Sequence, residues 1–240
     1  MKPLIWAALL AGGTAAAAPP ECAHINREHY VGGWEQADAM ERIHERITPD
    51  GVIECRFLPD SENRLNILAR YEQGTLDGSG YRVYYGDGSA VIQGRGALPA
   101  DAGDAADSWR MTCKQADDDG AYGCTLVKGE LRLYRDTRGH QTIGVGEDYR
   151  EGSELLIRVH GHPAVIAPVA GGFSATQTEQ LLAQMHDATQ ADIGFHRAPL
   201  QGATEKPLSL AGFNPAMTVM ERVLAQLQST PPANAAANPD

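Results

Sequence analysis

The sequence predicts a mostly β protein, all-β or α+β, with a β-sandwich-like C-terminal domain carrying two short helices and a smaller β-rich unit before it. Three observations carry that reading. Short runs of β-branched and aromatic residues recur in the second half, with turn signals about every 8–12 residues. Helical apolar spacing is clear in only two segments, both near the C-terminus. Between the halves, ALPADAGDAAD (97–107) is rich in Pro, Gly, Ala and Asp and reads as a linker. The expected organisation is a leader at 1–18, an N-terminal β-rich unit at 19–96, the linker at 97–107, a domain at 108–229 and a disordered tail at 230–240.

Residues 1–18 read MKPLIWAALLAGGTAAAA. Lys2 supplies a positive start, Leu4 to Leu10 an apolar stretch, and Ala15 to Ala18 the small side chains that a signal peptidase requires. The segment is expected to be a secretory signal peptide cut after Ala17 or Ala18, and too short to stay as a membrane anchor. Glu21, not a small residue, precedes Cys22, which argues against lipidation there. The expected location is periplasmic or secreted.

ECAHINREHYVGGW follows without regular periodicity. In EQADAMERIHERITPDGVIECRFL, Ala37, Met40, Ile43 and Ile47 fall at helical spacing. Pro49-Asp50-Gly51 is a turn signal, however, and VIECRFL behind it has strand composition. A hairpin pairing 41–48 with 52–58 is the preferred reading. RLNILARYEQG is next. Then GYRVYYGDGSAVIQGRG gives a second hairpin, in which Tyr81, Val83 and Tyr85 alternate and Gly86-Asp87-Gly88 turns the chain toward Val91 and Ile92.

Past the linker, SWRMTCKQ, GCTLVKGELRLYRD, QTIGVGEDY and SELLIRVHGHPAVIAPV read as strands. Thr137-Arg138-Gly139 is one of the turns between them. SATQTEQLLAQMHDAT is a helix. Ser174 can cap it, Glu179 lies in its first turns, and Leu181, Leu182, Met185 and Ala188 share a face. ADIGFHRAPLQ and EKPLSLAGF return to strand. NPAMTVMERVLAQLQ is a second helix, with Asn214 at the N-cap and Pro215 at the first helical position. Met217, Met220, Val223, Leu224 and Leu227 form its apolar face.

In an exported protein an even number of cysteines predicts disulfides. There are four, Cys22, Cys55, Cys113 and Cys124, which allow three pairings. Cys113 and Cys124 flank QADDDGAYG, a turn-rich connector between two strands, so they are expected to pair. Cys22–Cys55 then follows by elimination. No CxxC occurs, so neither a zinc ribbon nor a thioredoxin-type site is suggested.

The net charge is −11 and the hydrophobic fraction 42%. A strongly basic nucleic-acid binder and a disordered chain are both excluded as expectations. Residues 19–107 carry 8 arginines and no lysine against 16 acids, so the acidity concentrates in the first half. A well-solvated acidic surface is the plain reading, and a cationic partner steered to the first unit is the functional one.

Few motifs carry chemistry. There is no G-x-S-x-G, S-x-x-K or HExxH, and GGFSAT around Ser174 fits a helix cap better than a nucleophile. No catalytic residue and no cofactor are expected. His160 and His162 flank Gly161 beside an apolar strand. On one strand face, they could together ligate zinc or copper, with His140 or an acid completing the set. Solvated histidines in a turn before Pro163 are the simpler reading. Asp117-Asp118-Asp119-Gly120 lacks the alternation of a calcium loop and reads as an acidic hairpin tip. Gly144-Val145-Gly146 lacks the third glycine of a dinucleotide site. Trp34 in YVGGWEQ resembles the Gly-x-Trp opening of lipocalin-like barrels, at the level of a dipeptide.

Two motifs suggest a family. Trp109 precedes Cys113 in SWRMTC, and GCTL follows with Cys124 and Leu126. Later a helix is followed by a strand, then PLSLAGF with Leu208, Ser209, Leu210, Gly212 and Phe213, then Ala216 and a terminal helix. Residues 107–228 thus resemble the invasion-associated locus B family of secreted bacterial proteins, with its W-x-x-x-C opening and SL-x-GF ending. The resemblance implies export, a compact β-rich domain and no catalytic residues. It implies nothing about 19–106. Leu208, Leu210 and Phe213 read as core anchors, with Gly212 relieving a tight passage.

The expected function is therefore an exported, non-enzymatic module of the bacterial envelope. Its partner would be a protein or envelope component rather than nucleic acid, and the mature chain would hold no transmembrane segment. Two alternatives are a metal-binding protein or metal-dependent enzyme using His160 and His162, and a small-ligand binder. The second would need an apolar cavity in a lipocalin-like first unit, lined by residues such as Tyr81, Val83 and Ile92.

Overall fold

The structure is a computed structural model and describes Cys22, Ile25 and residues 43–57, 66–99, 107–115, 120–146, 153–197 and 201–229. The expected leader, Trp34, Asp117 to Asp119, most of the 97–107 segment and the tail lie outside the described residues.

The chain is mostly β, as expected. Nine strands follow one another as an antiparallel meander: β1 (Ile43–Ile47), β2 (Ile53–Phe57), β3 (Asn66–Leu76), β4 (Ser79–Tyr84), β5 (Ala90–Gln93), β6 (Ser108–Gln115), β7 (Tyr122–Lys128), β8 (Leu131–Asp136) and β9 (Gln141–Val145). A second antiparallel sheet has the order β11-β10-β12-β13, from β10 (Glu154–Val159), β11 (Val165–Pro168), β12 (Gln190–Arg197) and β13 (Gln201–Ser209). Helix α1 (Ala175–Asp187) separates β11 from β12, and α2 (Phe213–Ser229) follows β13. Among the described residues, no helix is long and apolar enough to cross a membrane.

The ambiguous segment at 41–48 is strand. β1 and β2 pair from Ile43↔Phe57 to Ile47↔Ile53. The Pro49-Asp50-Gly51 turn closes on Thr48, whose hydroxyl donates to the Val52 carbonyl at 3.0 Å, and Gly51 takes φ 85°. A turn that only glycine fills without strain overrides the helical spacing before it. Behind the turn, Glu54 is buried between the guanidiniums of Arg56 and Arg70. Burial pushes its carboxyl up; the two guanidiniums more than offset this and hold it below its ordinary value.

The expected division at 97–107 is corrected. β5 pairs with β6 across that segment, with Ala90↔Met111 and Ile92↔Trp109 in register. Val83, Ala90 and Ile92 of the first half share one core with Trp109, Met111, Leu126, Leu133 and Ile143 of the second. Helix α2 also reaches back: Arg222 pairs with Glu72 of β3 at 2.5 Å and lies over the Tyr81 ring. Pro, Gly and Asp mark where a chain turns; they do not say whether the strands on either side separate. Of the residues named for an apolar cavity, Val83 and Ile92 are buried in the main core, and Tyr81 lies under the Arg222 guanidinium.

Alternation divides the nine-stranded sheet into two faces. Inward residues meet both helices and the second sheet in the main core. On the opposite face at the β2–β4 end, Cys22, Ile53, Cys55, Ala69, Tyr71 and Tyr84 make a smaller cluster. Both expected disulfides are present, Cys22–Cys55 and Cys113–Cys124. The second joins directly opposed residues of β6 and β7.

Candidate functional site

The family-like motif residues, far apart in sequence, converge where β6, β7 and the start of α2 meet. Ser108 to Gln115 alternate, so Trp109, Met111 and Cys113 face inward while Arg110, Thr112 and Lys114 face out. Trp109 is fully buried, and its indole Nε1 donates to the Ala211 carbonyl at 2.9 Å. Phe213, the first residue of α2, packs its ring 5.6 Å from that of Trp109. A buried indole N–H needs an acceptor, and the loop carbonyl provides it.

Lys128 completes this node. Its side chain is only 3% exposed, donates to the same Ala211 carbonyl at 3.0 Å, and pairs with Asp107 at 2.8 Å. Its ammonium lies over the Trp109 ring. Burial pushes its pKa down, and Asp107 acts against that shift. Lys128 escaped the sequence reading, yet its position held a signal. It falls two residues after Leu126 and four after Cys124, on the inward phase of β7.

Gly212 makes the approach possible. Its φ is 77°, and a Cβ there would lie 2.8 Å from the Gln93 carbonyl oxygen and 3.0 Å from the Gly94 Cα. Leu210 is buried and its N–H bonds to the Thr189 carbonyl, which fixes the loop to the end of α1. Leu208 is half-buried against the main core. Ser209 is exposed, and its hydroxyl accepts from the Ala211 N–H at 3.3 Å. The packing role expected for Leu208, Leu210, Gly212 and Phe213 matches these contacts.

Other expected sites fall elsewhere. Ser174 caps α1 in a reciprocal box, its hydroxyl accepting from the Gln177 N–H while the Gln177 side chain accepts from its own N–H. Asn214 does not cap α2, which begins one residue earlier. Gly212 carries the carbonyl that accepts the Ala216 N–H, and Asn214 Nδ2 donates to the His186 carbonyl at the end of α1. The strand expected to carry His160 and His162 ends at Val159, and Gly161 takes φ 88°, so the two do not share a strand face. His160 Nε2 lies 3.5 Å from Asp192 Oδ2. Among the described residues, no three metal-ligating side chains gather.

Two open clefts border the node. One, of about 250 Å³, is lined by Asp77, Arg95, His186 and the 210–215 loop. The other, of about 410 Å³, lies between α1 and α2, with Leu182 and Met217 among its apolar walls and Arg135, Glu179 and Glu221 among its charged ones. Arg135 and Glu221 pair at 2.6 Å there. The geometry of the node holds a loop, a helix start and a sheet together.

Compared with known protein families, curated proteins and solved structures, the chain matches none.

Proposed function

We infer that the protein is an exported, non-enzymatic module of the bacterial envelope, related to the invasion-associated locus B proteins, which holds a protein or another envelope component. The observation that carries this reading is the pairing of all four cysteines into two disulfides behind a leader-like N-terminus. Such bonds persist where the surroundings are oxidising. The polar groups that would most readily suggest chemistry also have structural work. The Ser174 hydroxyl caps α1, and the Lys128 ammonium is bonded to Ala211 and Asp107.

Expression of the full chain in a Gram-negative bacterium, with fractionation and N-terminal sequencing, tests this. The expected product is a periplasmic or secreted chain beginning after Ala17 or Ala18. An uncleaved, reduced chain in the cytoplasm overturns export. A hydrolytic turnover lost on replacing one polar residue overturns the non-enzymatic part. The metal-binding alternative draws support from the Asp192 carboxylate beside His160. Stoichiometric zinc or copper, lost in the double variant His160→Ala/His162→Ala, favours that alternative instead.

A further inference from the structure

The larger cleft, between α1 and α2, is faced by two helical stripes of matching spacing. Glu179, Leu182 and His186 recur at i, i+3 and i+7 along α1, and Asn214, Met217 and Glu221 do the same along α2. Each set therefore lies on one helix face. All six line the same space of about 410 Å³, a size that holds a small organic ligand. Leu182 and Met217 are half-buried, so each helix offers an apolar patch flanked by polar groups.

Charge in this cleft is unbalanced by one. Its lining holds two carboxylates, Glu179 and Glu221, against one guanidinium, Arg135. Arg135 is taken by Glu221 at 2.6 Å. Glu179 is exposed and, among the described residues, has no ion-pair or hydrogen-bond partner. His186 does not reverse the balance, because its ring stands 3.1 Å from the Asp187 carboxylate. Asn214 adds an acceptor. Its Nδ2 donates to the His186 carbonyl, and its Oδ1 is shielded from water without a hydrogen-bond partner. A buried acceptor is ordinarily bonded, so a donor entering between the helices suits this lining.

We propose that this cleft binds an alkylammonium group, a primary amine carried on an apolar chain. The ammonium pairs with Glu179, and the chain lies over Leu182 and Met217. An ammonium brings one positive charge to the unpaired carboxylate and three donors to the acceptors of the lining. A carboxylate or phosphate meets the excess acid and is repelled. A wholly apolar ligand covers Leu182 and Met217 but leaves Glu179 unpaired. A metal ion is a poorer occupant, since no three ligating side chains gather among the described residues. A free alkylamine and the lysine side chain of a partner protein carry the same chemistry. The inference goes beyond the envelope role proposed above and does not depend on it.

The test titrates hexylammonium into the mature, disulfide-bonded protein at about 20 mM salt and follows amide NMR shifts. Saturable shifts at Glu179 to His186 and Asn214 to Glu221 are expected, with Kd about 1 mM. Hexanoate and hexanol should not bind, and methylammonium, which lacks the apolar chain, should bind at least tenfold more weakly. Glu179→Gln should weaken hexylammonium at least threefold and Glu179→Lys at least tenfold, both at unchanged melting temperature because the side chain is exposed. A blocked Gly-Lys-Gly peptide runs in parallel. Tighter binding of the peptide than of hexylammonium supports a partner's lysine as the occupant, and weaker binding supports a free amine. No saturable shifts, shifts centred away from the cleft, equal binding of hexanoate or hexanol, or unchanged affinity in Glu179→Lys overturns the proposal. Absence of binding in a protein that is nevertheless exported and cleaved overturns this assignment alone and leaves the export reading standing.

Discussion

The indole N–H of Trp109 is bonded at 2.9 Å to the carbonyl of Ala211, a residue 102 positions later. One contact thus joins the two motifs that bear the family resemblance, and Lys128 shares its acceptor. Trp109→Phe removes the donor and part of the ring volume while leaving Lys128 in place. A stability loss of about 1–3 kcal/mol is expected in urea unfolding, with the fold retained. A change below about 0.5 kcal/mol would contradict the role given to this bond.

Gly212→Ala should cost at least about 2 kcal/mol. The left-handed backbone penalises any Cβ, and the Gln93 carbonyl stands in its way at 2.8 Å. Gly144→Ala is the matched control. It lies in β9, and nothing comes within 4 Å of the added methyl group. That substitution should be neutral or mildly stabilising by the same measurement.

The sequence exposed much of this architecture and hid a particular part of it. Strand runs, both helices and both disulfides were legible because local composition and alternation report them. Asp77-Gly78 at the β3–β4 hairpin takes φ values of 48° and 78°, which fit the paired left-handed turn that an Asp-Gly dipeptide favours. The continuity of the sheet through 97–107 was not legible. It depends on Ile92 meeting Trp109, a non-local pairing that turn-rich composition neither requires nor forbids. Asn214 looked like a cap because side-chain chemistry is visible in sequence, whereas the His186 carbonyl it serves is not.

Removing the disulfides one at a time should give unequal losses. Cys22–Cys55 spans 33 positions and Cys113–Cys124 spans 11. Loop-closure entropy gives about 4 kcal/mol for the first and about 3 kcal/mol for the second. Paired serine variants, compared by urea unfolding, measure the difference. A larger loss at Cys113–Cys124 would show that the cross-strand bond contributes through more than chain entropy.

Alkali should unfold the protein through particular tyrosines. Burial pushes both Tyr71 and Tyr85 up to about 12, and the Glu72 carboxylate bonded to Tyr85 adds to its shift. Because the folded value lies above the unfolded value of 10.0, this stability is fully present below pH 10 and is lost as pH rises toward 12. Absorbance titration of the phenols should show a late-ionising group that coincides with unfolding. Ionisation of all eight tyrosines near pH 10 in a protein that stays folded would contradict it.

The described strands of both halves form one body, closed by the β5–β6 pairing and by Arg222 on Glu72. Native-state hydrogen exchange under increasing urea measures this. The most protected amides of β4 and β5 should merge with those of β6 to β8 into a single opening, with one free energy and one urea dependence. Exchange of β4 and β5 through a separate, lower-energy opening with its own urea dependence would contradict the account.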